Sequence, residues 1–205
     1  MSNLDKLVTY FEKFPGIGGR QARRFAFHIL RLPDADVQEI SSLITNLKGS
    51  VVECSSCHRY FARSGGVATE CSICTDSNRD RNKLLVLERD SDLQAIERSG
   101  TYDGLYFVLG GTVPLLNSDD TKKLRGGALR ETVMARLPQG LSEIIMGFSV
   151  NPDGENTARY VEKIVSEVDE SSAITISYLG RGLSTGSELE YADPETIKNA
   201  LKNRH

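Results

Sequence analysis

The stretch Leu84-Leu85-Val86-Leu87-Glu88-Arg89-Asp90-Ser91-Asp92-Leu93 decides the fold. Its four successive apolar residues are of strand length and end on a carboxylate, and a helical pattern follows near 91–98. Similar short apolar runs recur at Leu105 to Leu109, Glu143 to Phe148 and Ile174 to Tyr178, separated by helical patterns near 121–136 and 155–168. Strands that are apolar throughout, rather than at alternate positions, are buried on both sides. Strand–helix–strand repetition of this kind predicts a parallel sheet flanked by helices. After Tyr178 come a glycine-rich loop and, beyond Asp193-Pro194, a last helix.

Upstream the pattern is helical. Leu4, Leu7, Val8 and Phe11 share one face of a helix at 4–13, a second helix is expected at 20–31, and a third runs from Pro33-Asp34 to about Leu47. Phe14-Pro15-Gly16-Ile17-Gly18-Gly19 separates the first two, and its proline and glycines force a sharp turn. Helix, Pro-Gly-Ile-Gly hairpin, helix is the helix-hairpin-helix arrangement that grips nucleic-acid backbone without reading sequence. Gly16 and Gly18, lacking Cβ atoms, let backbone N–H groups approach a phosphate. Arg20 and Arg24 fall on one face with Arg23 beside it, supplying a salt-sensitive electrostatic contact. A plain pair of helices joined by a glycine turn is the alternative.

The charge is divided along the chain. Lys13 to Arg31 holds five basic residues (Lys13, Arg20, Arg23, Arg24, Arg31) and no acidic one, whereas Leu141 to Glu195 holds eleven acidic against three basic. The net charge of −3 conceals this division. It suits an end that meets phosphate and an end that avoids it, or two solvated helix faces.

All four cysteines stand in two Cys-x2-Cys knuckles, Cys54 with Cys57 and Cys71 with Cys74. Two such knuckles complete a tetrahedron around one structural Zn²⁺, with no open position and no spare thiol for chemistry. Two disulfides or a redox pair are the other uses of this pattern. His58 reads as a neighbour of the knuckle. The segment has few apolar residues, so a metal would replace its core.

At the carboxyl ends of the expected strands stand Glu88, Gly110-Gly111 and Asn151-Pro152-Asp153-Gly154-Glu155. Ligands gather at such edges. Glu88, Asp153 and Glu155 could together hold Mg²⁺, or Asp153 and Glu155 could simply cap a helix. No Gly-x4-Gly-Lys-Ser/Thr occurs, and the glycines from Gly180 to Gly186 have the wrong spacing for a dinucleotide loop. No apolar run approaches the roughly 20 residues of a membrane helix, and Met-Ser-Asn-Leu-Asp-Lys lacks the features of a signal peptide. A cytoplasmic chain is expected.

Four pieces in this order resemble the RecR family of bacterial recombination mediators over essentially the whole chain. They are Phe14 to Leu30, the four cysteines, Leu84 to Glu97, and Tyr178-Leu-Gly-Arg-Gly-Leu-Ser-Thr-Gly-Ser-Glu-Leu-Glu-Tyr-Ala-Asp193. The resemblance implies an α/β multi-module chain: a helix-hairpin-helix domain at 1–52, a four-cysteine zinc finger at 53–77, a Toprim domain at 78–176 and a C-terminal segment for oligomerisation at 177–205. It implies a non-enzymatic, ring-shaped tetramer on DNA, acting with RecO or RecF to load RecA on single-stranded DNA, in the cytoplasm near the nucleoid. Arg20 and Arg24 would be the DNA-contacting pair and the cysteines the ligands of one Zn²⁺ per chain. Glu88, Asp153 and Glu155 fall where Toprim enzymes keep acidic residues, and in this family that region is thought to meet the partner. A Mg-dependent nuclease or primase is the alternative function. Two segments depart from the family pattern. Thr112-Val-Pro-Leu-Leu-Asn-Ser-Asp-Asp120 replaces a glycine-rich loop, and the segment after Asn151-Pro152 is a couple of residues shorter.

Overall fold

The computed structural model describes residues 1–63, 68–115, 118–169, 171–180, 182–183, 186 and 188–202, with residues 118–120 as backbone. The chain divides into two compact units, Met1–Val51 and Val52–His205.

The first unit is helical: α1 (Asn3–Phe11), α2 (Gly19–Ile29) and α3 (Asp34–Ser50). Ser2 starts α1 through a reciprocal cap. Its hydroxyl accepts from the Asp5 N–H at 3.1 Å, and the Asp5 carboxylate accepts from the Ser2 N–H at 2.9 Å. Ala22 and Ala26 are the only fully buried residues of α2, and their small side chains let the helices approach closely. No residue of α1 or α3 is fully buried.

The second unit opens with a short hairpin, β1 (Val51–Glu53) and β2 (Tyr60–Ala62), and one helical turn, α4 (Ser72–Thr75). A parallel sheet follows, with β3 (Asp80–Leu87), β4 (Gly104–Val108), β5 (Glu143–Gly147) and β6 (Thr175–Tyr178) in the order β4-β3-β5-β6. Its helices are α5 (Asp90–Ser99), α6 (Gly126–Arg136) and α7 (Pro152–Val168), and α8 (Pro194–Lys202) ends the described chain. Asp193 caps α8 by accepting from the N–H groups of Glu195 and Thr196 at 3.0 and 2.9 Å. The four expected strands and their parallel sense are found. The strand expected from Leu84 begins four residues earlier, at Asp80. The helix expected over 121–136 is broken into a 3-10 turn, Ser118–Lys123, and α6. Of the C-terminal stretch quoted above, Arg181, Ser184, Thr185 and Ser187 lie outside the described residues, as do Leu116 and Asn117 of the loop after Gly111.

The two faces of β3 are covered differently. Leu84 and Val86 join Leu105, Phe107, Ile144 and Met146 beneath Leu129 and Val133 of α6 and Val161 and Val165 of α7. Leu85 and Leu87 join Tyr106, Val108, Leu93 of α5, and the four cysteines. The cysteine segment thus covers part of the sheet where a doubly wound fold would use a helix. Beside it, Arg79 forms a bidentate pair with Glu97 at 2.8 and 2.6 Å, and the Tyr106 hydroxyl donates to the same carboxylate at 2.6 Å. No helix of the described residues is long and apolar enough to cross a membrane.

Two outcomes follow from this packing. A Cβ on Gly154, in the first turn of α7, would overlap the Ser149 carbonyl oxygen, and backbone cannot move aside cheaply. Gly154→Ala should therefore lower stability by about 1–3 kcal/mol in urea unfolding, whereas Gly127→Ala, with open space at its Cβ, should be neutral or stabilising. The Arg79 guanidinium holds the Glu97 carboxyl below the usual carboxylate range. Its stabilisation is complete above the unfolded-state value of about 4.3 and is lost as pH falls through the lower folded value. Glu97→Gln should flatten the acid limb of a stability–pH curve.

Candidate metal centre and nucleic-acid interface

The finger is built by two tight backbone reversals. The Cys54 carbonyl accepts from the His58 N–H at 3.0 Å, and His58 takes a positive φ of 60° to turn the first knuckle. The Cys71 carbonyl accepts from the N–H groups of Cys74 and Thr75, closing the second. Sγ of Cys54 lies 3.8 Å from that of Cys74, and Sγ of Cys57 lies 3.6 Å from that of Cys71. All four sulfurs are within 4.8 Å of one another, and all four cysteines are buried. Bonds of about 2.3 Å to one zinc at the tetrahedral angle would separate two sulfurs by about 3.8 Å. A disulfide needs about 2.05 Å, so these are free cysteines in a metal-sized tetrahedron.

The thiols cannot hold independent protons at this separation. Contact with Cys57 drives Cys54 far below the ordinary thiol range, and contact with Cys54 drives Cys57 and Cys74 above it. A divalent cation would remove the conflict by taking all four as thiolates. The Cys71 N–H already donates to the Cys54 sulfur at 3.3 Å.

His58 points away from the sulfurs. Its Nδ1 lies 2.7 Å from Glu53 Oε1 and its ring meets Phe107 edge-on at 5.1 Å. Glu53 in turn pairs with Arg125 at 3.1 Å, and Arg125 donates to the Val108 carbonyl at 3.1 Å. The Val108 N–H donates to the Cys57 carbonyl at 2.8 Å. This chain of contacts between knuckle and β4 was not legible in the sequence, because Glu53, Arg125 and Val108 are far apart along it.

In the helical unit, Phe14 to Ile17 form a turn closed by the Ile17 N–H on the Phe14 carbonyl at 3.1 Å. Pro15 takes the second position and Gly16, at φ +76°, the third, where a side chain would be strained. Gly18 is the N-cap of α2 and offers no side-chain cap. Its carbonyl accepts from Gln21 and Ala22, so the amides that open α2 have no helical partner. Arg20, Arg23 and Arg24 are exposed. Arg23 faces α1, where its charge adds to the Ser2 hydrogen bonds that hold the Asp5 carboxyl below its ordinary range. Arg31 extends the Arg20–Arg24 stripe through the turn after α2, a position its charge alone did not reveal.

The acidic residues stand at the carboxyl ends of the strands. Glu88 is buried, with 5% of its surface exposed, and its carboxylate accepts from the Ser149 N–H at 2.7 Å. Asp153 accepts from the Leu115 N–H at 3.0 Å. Glu155 is exposed. Among the described residues, the cysteines are the one group of three or more potential ligands whose donor atoms converge. The sequence places Glu88, Asp153 and Glu155 together at the strand ends, where one crevice was expected. Two of them hold backbone around the strand ends: Glu88 steadies the loop after β5, and Asp153 fixes the loop after β4.

Comparison with known proteins agrees with this geometry. Residues 4–48 match the family model described as RecR, helix-hairpin-helix, residues 82–179 match the Toprim domain, and residues 182–205 match RecR, C-terminal. The chain is 33% identical over 199 residues to the Recombination protein RecR of Streptococcus thermophilus, covering 97% of this chain and 94% of that one. It is 34% identical over 202 residues to that of Lactococcus lactis subsp. cremoris, with 97% and 94% covered. To that of Staphylococcus saprophyticus it is 33% identical over 201 residues, with 98% and 96% covered. With its hairpin, four-cysteine cluster and Toprim sheet, the chain belongs to the RecR family of recombination proteins, and its role lies in recombination repair.

Proposed function

We propose that the chain is a non-enzymatic mediator that grips DNA through the hairpin between α1 and α2. The observation that carries this reading is the Gly16 turn. It presents the start of α2, with the Glu12 carboxylate beside Gly19, Arg20 and Arg24 four residues apart on one exposed face, and no acidic residue between Lys13 and Arg31. Phosphate contacts of this kind are indifferent to sequence, as a protein acting anywhere on damaged DNA requires.

The metal is Zn²⁺, one per chain, held by Cys54, Cys57, Cys71 and Cys74. Sulfur-only ligation with tetrahedral spacing favours it over magnesium or calcium. Its role is structural, since all four positions are filled by protein. The module boundaries follow the sequence: hairpin domain at 1–52, finger at 53–77, Toprim domain at 78–176 and C-terminal segment at 177–205.

The working form is a tetrameric ring on DNA. Its support is the thin core of the helical unit, which leaves Phe14, Ile40 and Leu43 exposed around a hollow of about 950 Å³, with Ile44 and Leu47 exposed on the same helix. A second copy would cover this apolar surface. The ring acts with RecO or RecF type partners to load RecA on single-stranded DNA, in the cytoplasm at the nucleoid. Partners meet the exposed Glu155 and its neighbours rather than Glu88, which is buried.

Two measurements test this reading. Arg20→Ala with Arg24→Ala should weaken binding to DNA of any sequence by roughly tenfold or more per arginine, a charge-assisted hydrogen bond being worth about 1.5–3 kcal/mol. The slope of log affinity against log salt should fall by roughly 0.9 per lost contact on duplex. Unchanged affinity at low salt would sink the hairpin contact. Purified protein should also carry one zinc per chain, and stripping it with a chelator should lower the melting temperature. Cys57→Ser should do the same, and an unaltered melting temperature in both cases would refute the structural role.

A further inference from the structure

The exposed face of α2 carries more than charge. Phe27 stands three residues after Arg24, seven after Arg20 and four before Arg31, so helical spacing sets its ring among three guanidinium groups. Arg31, just past the helix, keeps this register because its N–H still bonds the His28 carbonyl at 2.9 Å. Phe27 is 51% exposed, and among the described residues no other ring lies against it. Phe25 differs: it meets Phe11 edge-on at 6.1 Å and lines the apolar hollow. Phe27 shares with Phe25 a shallow cavity of about 840 Å³ bordered by Arg23, Arg24, His28 and Arg31, and on its α1 side it borders Leu4, Val8, Asp5 and Glu12. Arg20, Arg24 and Arg31 make no ion pair among the described residues.

A half-exposed ring amid such cations is a poor seat for a second copy of the chain. A two-fold contact centred on Phe27 would bring Arg20, Arg24 and Arg31 against their own copies, and the carboxylates that border the ring, Asp5 and Glu12, lie on its α1 side. Duplex DNA would satisfy the arginines and leave the ring idle, because its base faces are stacked inside. A single strand offers both parts at once, phosphates for the guanidiniums and free base faces for the phenyl ring.

We infer that Phe27 is a stacking platform for an unpaired base, and that α2 thereby favours single-stranded over duplex DNA. This rests on the proposed hairpin–phosphate contact and adds a base contact to it.

The sequence contains no tryptophan, so Phe27→Trp in the full chain places the sole indole on the platform, where it can be excited selectively over the seven tyrosines. Oligo-dT should quench its emission strongly, while duplex or an abasic strand of equal length should not. Phe27→Ala should lower affinity for oligo-dT by roughly five- to a hundredfold, the value of one base–aromatic stack, and leave duplex affinity within about twofold. The salt slope should stay as in the parent protein. Equal loss on both DNAs, no loss on either, or a fall in sedimentation mass without DNA would overturn the assignment, the last by showing that the ring joins copies. The Arg20→Ala, Arg24→Ala variant separates the two claims. If it retains DNA binding, the hairpin contact itself fails. If it loses binding while Phe27→Ala does not discriminate, only the stacking platform fails.

Discussion

The four cysteines have two places in the structure, as a cluster able to hold a metal ion and as part of the apolar layer under Leu85, Leu87 and Val108. One backbone bond, from the Val108 N–H to the Cys57 carbonyl, couples the two roles. A segment with so few large apolar side chains cannot cover a sheet by burial alone. Crosslinked through one ion it could, because a metal offsets the chain entropy that a core would otherwise have to overcome. The Glu53–Arg125 pair and the edge contact of His58 with Phe107 then fix the finger against the end of β4. In this chain the finger is a structural layer of the sheet as much as a separate module.

Two carboxylates at the strand ends hold the backbone of neighbouring loops. Glu88, Asp153 and Glu155 occupy the strand ends where an open parallel sheet collects ligands. Buried or half-buried, Glu88 and Asp153 instead accept backbone N–H groups from loops that would otherwise bury unpaired donors. The loop after β4 is tied down further: the Val113 N–H donates to the Thr157 hydroxyl at 2.8 Å, and Asn156 donates to the Val113 carbonyl at 3.3 Å. That tethering holds Thr112 to Leu115 against the start of α7. The cationic face of α2 contrasts with this satisfied acidic edge. Among the described residues, Arg20, Arg24 and Arg31 have no ion-pair partner.

Much of this was legible in the sequence, for identifiable reasons. Pro15 and Gly16 announce a turn whatever surrounds them, so the hairpin could be placed closely. Continuous apolar runs such as Leu84 to Leu87 announce buried strands, and Cys-x2-Cys spacing announces a metal. Strand order was not legible, because periodicity states which residues are buried and not which neighbour buries them. The break before α6 was missed because Gly126 looks like a helix interruption of any kind, whereas its function is close packing: a Cβ there would overlap the Tyr160 hydroxyl. The fate of Glu88 was hidden for a similar reason, since its partner Ser149 lies 61 residues away.

The strand order β4-β3-β5-β6 has a consequence for synthesis of the chain. The hairpin helices and the finger close over short sequence distances and can form as soon as they leave the ribosome. Strand β3 is an inner strand, and one of its two neighbours, β5, begins only at Glu143. Until that residue emerges, one edge of Leu84 to Leu87 has no partner and its backbone donors stay open. The nascent protein therefore passes through an interval with an adhesive edge, and the rate of translation between Asp103 and Glu143 bears on how much of it reaches the native state.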